Sequence, residues 1–283
     1  MASEIQFVKM HGLGNDFVVV DCLTHPYAVP ELVVAAEHLC DRRFGIGGDG
    51  VLLLLPSQQA DFRMRIINSD GSEAEMCGNG MRCFAKYLYE HGLTTKTRFT
   101  VETLAGLITP LLLIDEGHVR AVQVDMGEPR LERAQIPMLG PEGKVVSEPL
   151  AVDGETFAVT AVSMGNPHAV IFVENVQTFP VERYGPLIET NTAFPRKTNV
   201  EFTQVDNSRQ LRMRVWERGS GVTLACGTGA CATLVAAVLN GLTERTATVT
   251  LPGGPLDIDW NEDDNHVYMT GPATEVFSGT VAL

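Results

Sequence analysis

With 283 residues, 45% of them apolar and 20% charged, the chain has enough apolar side chains for one large domain or two medium ones, and its composition is not that of a disordered protein. A net charge of −14 with no basic block argues against nucleic-acid or anionic-membrane surfaces, and for small molecules or other proteins as partners. Apolar runs such as Val51–Leu55 and Leu111–Ile114 are far shorter than the roughly 20 residues that span a bilayer. "MASEIQFVKM" has no signal-peptide core, so the cytoplasm is the expected location. Six cysteines (Cys22, Cys40, Cys77, Cys83, Cys226, Cys231) without secretory features read as thiols, not as a disulfide framework.

In chain order, "IQFVKM" and "FVVVDC" around the turn "HGLGND" predict a strand pair. "PELVVAAEHLCDR", opened by Pro30, predicts a helix. "GVLLLLP" and "FRMRIIN" read as buried and half-buried strands, and "SDGS" as a turn. "GNGMRCFAKYLYEHGL" has helical spacing with Gly92 placed to cap it. "TRFTVETL", "LITPLLLI" and "VRAVQVDM" alternate as antiparallel strands do. The aperiodic, Pro- and Gly-rich stretch from Gly127 to Pro149 reads as a linker. Beyond it come strands at "TFAVTAVSM" and "HAVIFVEN", a short helix near "VERYGPLIE", and strands at "TNVEFTQV" and "LRMRVWE". A long helix in "GTGACATLVAAVLNGL" precedes meandering strands at "TATVTLPGG", "LDIDW" and "HVYMTG".

The halves repeat each other. "FRMRIIN" from Phe62 and "LRMRVWE" from Leu211 are offset by 211 − 62 = 149, as are Cys77 and Cys226 (226 − 77 = 149). "GNDFVVV" from Gly14 and "GNPHAVIF" from Gly165 are offset by 165 − 14 = 151. Ordered markers at a near-constant offset predict a duplicated unit and two similar domains. In each copy a Cys-Gly-x-Gly stands at the head of an apolar helix. There the helix dipole favours a thiolate at Cys77 or Cys226, and glycine-flanked amides at Gly78, Asn79, Gly227 and Thr228 suit a bound carboxylate. Two acid/base groups on opposite faces of one carbon are what inversion at that carbon requires, and a thiol of pKa ~8.5 needs little tuning for the task.

Other residues are less decided by sequence. Cys22, Cys40, Cys83 and Cys231 read as core thiols, since buried cysteine is common. The spacings Cys77/Cys83 and Cys226/Cys231 do not suit zinc, and no metal is expected. "FGIGGDG" opens no helix and reads as a turn or substrate loop. Asn15 and Asn166 are repeat mates, as are Asn68 and Glu217, each nine positions before its cysteine. Asn beside Gly is often only a turn residue, and Glu217-Arg218 is compatible with a surface ion pair. His168 suits either a core histidine or a group tuning a cysteine.

"HGLGNDF", "DRRFGIGGDG", "NSDGSEAEMCGNGMRC", "GNPHAV", "TNVEF" and "ERGSGVTLACGTGACA" occur in the order found in the diaminopimelate epimerase family, which the sequence closely resembles over nearly its whole length. The resemblance implies an α+β fold of two pseudo-symmetric domains, each a curled mixed or antiparallel, barrel-like sheet around a central helix. Residues 1–125 would form the repeat carrying Cys77, with strand 273–283 packing back on it, and residues 126–272 the repeat carrying Cys226. It implies Cys77 and Cys226 as the acid/base pair, and Asn15, Asn68, Gly78, Asn79, Asn166, Asn199, Glu217, Arg218, Gly227 and Thr228 as substrate contacts. His168 and Glu217 take positions that tune the cysteines. The implied reaction is cofactor-independent interconversion of LL- and meso-diaminopimelate, in lysine and peptidoglycan precursor synthesis, by a homodimer. Two departures stand out. Gly50 replaces a Gln common in relatives, and Phe277 replaces a Tyr found at a dimer contact. A two-cysteine proline or hydroxyproline racemase is the alternative, but a cyclic imino acid would make Asn15, Asn199 and Arg218 superfluous. A diamino-acid binding protein would not need two thiols, and a disulfide switch between Cys77 and Cys226 is compatible with catalysis.

Overall fold

The structure, a computed structural model, describes residues 4–283. β1 (Glu4–Gly12) and β2 (Asn15–Asp21) pair antiparallel through a turn whose Leu13 and Gly14 both take left-handed backbone angles. α1 (Val29–Cys40), with Pro30 in its first turn, carries the chain over to β3 (Gly50–Leu55), parallel to β2. All six residues of β3 are buried because α1 covers one face of the sheet and the next long helix the other, which is why the strand is continuously apolar. β4 (Phe62–Asn68) runs back antiparallel, β5 (Glu73–Ala74) pairs with it, and α2 (Gly78–Glu90) follows, ending at Gly92 with φ 70°. β6 (Val101–Thr103) lies parallel to β4 and β7 (Gly106–Ile108) antiparallel to β6, while β8 (Leu111–Asp115) and β9 (His118–Asp125) form a hairpin. "LITPLLLI", expected as one strand, is therefore split at Thr109-Pro110, where proline has no N–H for the ladder.

The second half restates this plan. β10 (Glu148–Val152), β11 (Glu155–Ser163) and β12 (Pro167–Phe172) are antiparallel, and α3 (Val181–Glu189) crosses to β13 (Asn199–Asn207), parallel to β12. β14 (Gln210–Glu217), the short β15 (Gly221–Val222), α4 (Gly227–Leu239), β16 (Thr246–Leu251), β17 (Gly254–Trp260) and β18 (Val267–Gly271) follow. β19 (Thr274–Ala282) pairs antiparallel along β1. From β1 to β7 and again from β11 to β17, neighbouring strands pair antiparallel, parallel, antiparallel, parallel, antiparallel. In both series a helix makes each parallel crossover.

Contacts divide the chain into one unit that runs to Val124 and takes back Thr270–Leu283, and a second, Asp125–Met269. α2 packs on β1 to β4 in the first, and α4 on β11 to β14, β16 and β17 in the second. Both helices are buried along most of their length, and α4 is apolar nearly all round. The other face of each sheet is covered by α1 or α3, over cores built from Val18, Val20, Leu32, Leu39, Val51 and Leu53 and from Ile171, Ile188, Val200 and Phe202. Two expectations are corrected. The sheets are open, with β19 and β7 as the edges of the first, so the barrel-like closure is absent. The stretch from Gly127 to Pro149 is no linker, because Ile136, Met138 and Val145 are buried in the second core. Its lack of period reflects a chain that wraps a core and enters the sheet only at its end, where Glu148 and Pro149 begin β10.

Candidate active site

Each central helix begins on its cysteine. Cys77 is the N-cap of α2, in extended backbone, and its Sγ accepts the Gly80 N–H at 3.5 Å. That leaves the amides of Gly78 and Asn79 as first-turn donors for which helix geometry supplies no acceptor. The half-buried Cys77 thiol points to Asn15 Oδ1 at 3.6 Å, and Asn79 Nδ2 donates to the same oxygen at 3.1 Å. Asn15 is oriented from behind: its Nδ2 donates to Asp49 Oδ2 at 2.7 Å. Asp49 is held in turn by Arg42 at 2.8 Å and by the Asp16 amide at 3.1 Å. Asp16 lies between Arg42 and the buried Lys9. Burial opposes the charge on Asp16, but hydrogen bonds from Arg42 and Lys9 outweigh it and hold the carboxyl at about 2. "FGIGGDG" is thus a loop that braces Asn15 through Asp49.

Asn68, at the end of β4 opposite Gly50, donates to Ser72 Oγ at 2.9 Å. A Cβ at Gly50 would stand 2.8 Å from the Ile67 carbonyl oxygen, so this backbone has no room for a side chain there.

The second unit arranges a different set around the same helix start. Cys226 is the N-cap of α4 and only 5% exposed, with Sγ 3.7 Å from Thr228 Oγ1. Burial pushes its thiol well above the usual range, and the carboxylates of Glu217 and Glu201 push the same way; the Thr228 hydroxyl and the Gly229 N–H oppose them. Burial also raises the Glu217 carboxyl, against the hydrogen bonds it accepts from Thr223 and Cys226. Cys226 therefore rests as a thiol at neutral pH. Asn166 Nδ2 donates to Thr228 Oγ1 at 3.3 Å, and its Oδ1 faces His168 Nε2 at 2.9 Å. Asn199, 4% exposed, spends both ends of its amide on backbone: Nδ2 donates to the Pro167 carbonyl and Oδ1 accepts the Arg218 N–H, each at 2.9 Å. Its visible work is to hold the turn that presents the exposed Arg218, whose guanidinium reaches the Arg196 carbonyl at 3.1 Å.

The chain matches the family model described as diaminopimelate epimerase over residues 7–132 and 160–276. It belongs to the diaminopimelate epimerase family. It is 59% identical over 275 residues to the diaminopimelate epimerase of Pelotomaculum thermopropionicum, covering 97% of this chain and 98% of the relative. With that of Heliobacterium modesticaldum it shares 58% over 281 residues, covering 99% and 100%. The fold is also that of a Bacillus anthracis phenazine biosynthesis protein of the PhzF family, with TM-score 0.74, 17% identity and coverage of 99% and 100%. A hydroxyproline epimerase from Agrobacterium vitis has TM-score 0.71, 17% identity and coverage of 100% and 94%. At such identity these two share the architecture alone.

Within this member of the diaminopimelate epimerase family, the first unit brings together Asn15, Cys77, Gly78 and Asn79 and the second brings together Asn166, His168, Glu217, Cys226, Gly227 and Thr228. Sequence reasoning overlooked Asp49, which orients Asn15, and Glu201, which lies 2.7 Å from His168 with neither side chain exposed. The constant offset of the repeat carried a signal for Glu201, because a charged residue there aligns with an apolar one.

Proposed function

We propose that this chain, an isomerase of the diaminopimelate epimerase family, interconverts LL- and meso-2,6-diaminopimelate by a two-base reaction in which Cys77 and Cys226 are the acid/base pair. The observation that carries the reading is the duplicated helix start, a cysteine N-cap beside first-turn amides, within a chain of that family. In each direction one cysteine, as thiolate, takes the α-proton, and the electron pair left on carbon delocalises into the α-carboxylate. The other cysteine, as thiol, delivers its proton to the opposite face, so one S–H forms as the other breaks and charge is conserved. Free amino acids resist α-deprotonation, and amides of Gly78, Asn79, Gly227 and Thr228 supply the electrostatic stabilisation that an electron-sink cofactor otherwise would. The resting Cys226 thiol makes it the proton donor for the isomer that Cys77 deprotonates.

Arg218, Glu217 and the side chains of Asn15, Asn68, Asn166 and Asn199 then recognise the distal amino-acid end, so that a substrate with two similar ends is inverted at one. In Asn199 the recognition is indirect, through the Arg218 turn. His168 and Glu217 tune the thiols. The reading includes a cytoplasmic enzyme of lysine and peptidoglycan precursor synthesis, acting as a homodimer through the edge strand β19, where Val276 and Phe277 are exposed. The test is α-proton exchange in D2O, followed by NMR on LL- and meso-diaminopimelate without added cofactor. Exchange with interconversion in wild type, lost in both Cys77→Ala and Cys226→Ala, is the expected result; full activity in either variant refutes the paired thiols. A monomer in light scattering at micromolar concentration refutes the dimer.

A further inference from the structure

β13 alternates Val200 and Phe202 on the α3 side with Asn199, Glu201 and Thr203 on the other, and all five are buried. A carboxylate in that position is costly. Glu201 Oε1 lies 2.7 Å from His168 Nδ1, yet Oε2 is buried with no hydrogen-bond partner among the described residues. The first unit shows that the fold does not need it. At the repeat offsets, Glu201 aligns with Leu52 (201 − 149 = 52) and His168 with Phe17 (168 − 151 = 17). The pairing registers agree, since His168 stands beside Asn199 on parallel strands as Phe17 stands beside Gly50. A Cβ at Gly80 would meet Ile66 and Leu52, whereas one at Gly229 would meet Glu201 Oε1 at 2.8 Å and Cys226 Sγ at 3.1 Å. The same slot beneath the helix start is therefore filled with hydrocarbon under Cys77 and with the Glu201–His168 pair under Cys226.

What the pair does follows from hydrogen-bond donors and acceptors. His168 Nε2 faces Asn166 Oδ1, which can only accept, so Nε2 carries a proton. Nδ1 lies 2.7 Å from Glu201 Oε1, directly beneath the first turn of α4. We propose that Glu201 is a positioning residue that holds His168 as a buried imidazolium, so that His168 Nε2–H fixes Asn166 with its amide NH2 turned to Thr228 and the substrate. The titratable groups around the pair are Glu217 and Cys226, both in the same unit. A fixed cation at His168 offsets the negative charge that Glu201 adds next to Cys226. Glu201 also leaves His168 with no vacant ring nitrogen, which makes it a tuning charge and excludes it as a proton acceptor.

The inference rests on the substrate role given to Asn166 and Cys226 above, so its test has one arm independent of catalysis. In 15N-histidine-labelled wild type near pH 7, both His168 ring nitrogens should show the protonated signature, and in Glu201→Gln one should lose it; a neutral His168 ring in wild type overturns the proposal. In kinetics, Glu201→Gln should lower kcat/KM about 10–100-fold, as when a carboxylate orienting a functional imidazole is removed. The double variant His168→Phe/Glu201→Leu copies the hydrocarbon slot of the first unit. It should fold with wild-type circular dichroism and unfolding temperature while losing activity at least as far. Activity within about twofold of wild type in either variant overturns the proposal, on the scale where such effects count as absent. If Cys226→Ala proves fully active in the same assay, the two-thiol reading fails instead.

Discussion

Asn15 Nδ2 donates to Asp49 Oδ2 at 2.7 Å, and this bond, with the one its Oδ1 accepts from Asn79, turns the carbonyl end of the Asn15 amide to Cys77. Without Asp49 the amide can turn over, and its NH2 group would face the thiol. Asp49→Ala should therefore reduce kcat/KM about tenfold, the worth of one charge-assisted hydrogen bond. Steady-state kinetics check it, with circular dichroism as the control for folding. Unchanged kinetics would mean that Asn15 is held by Asn79 alone.

Cys77 is half-buried and Cys226 is 5% exposed and kept protonated by burial and by the Glu217 and Glu201 carboxylates. Iodoacetamide at neutral pH should label Cys77 well before Cys226, as read by peptide mass spectrometry. Glu217→Gln removes one of the charges that disfavour the Cys226 thiolate, so alkylation of Cys226 should rise at lower pH than in wild type. The absence of a shift would show that Glu217 is neutral beside that thiol.

Asp16, bonded to Arg42 and Lys9, has its carboxyl at about 2 against an unfolded value near 4. A depressed carboxyl stabilises the folded state above the unfolded pKa, and that contribution disappears as pH falls from about 4 to about 2. Asp16→Asn should cost about 2 kcal/mol at pH 7, with wild type and variant converging in urea melts near pH 2. A constant difference across that range would place the effect in packing instead.

Gly80 and Gly229 occupy matching places in the two helix starts but face different neighbours. Gly80→Ala would press a methyl on the flexible ends of Ile66 and Leu52, whereas Gly229→Ala would press it on Glu201 and on the Cys226 sulfur. Both should destabilise by about 1–3 kcal/mol, the usual range for overpacking. Gly229→Ala should additionally lower kcat by more than the unfolded fraction explains, which melts and kinetics on the same samples can separate.

The sequence alone determined the duplication, the helices that begin on Cys77 and Cys226, and the family, because all three are written in residue spacing. Period-2 and period-3.6 patterns and glycine caps depend on residues near one another in the chain, and the duplication is read by laying one half of the sequence on the other. Only the tertiary structure decided what covers each face. "TNVEFTQV" shows that Asn199, Glu201 and Thr203 share a side of β13 and suggests water there; α4 covers that side and buries all three. The stretch from Gly127 to Pro149 looked like a linker because Pro and Gly break any period, yet long-range contacts set Ile136, Met138 and Val145 into a core. Asp49 and Asn15 are 34 residues apart, and Glu201 and His168 are 33 apart. A hydrogen bond at such a separation exists only once the parallel strand crossovers β2–α1–β3 and β12–α3–β13 have brought the two ends together, and the free energy for that closure comes from apolar burial elsewhere in the sheet.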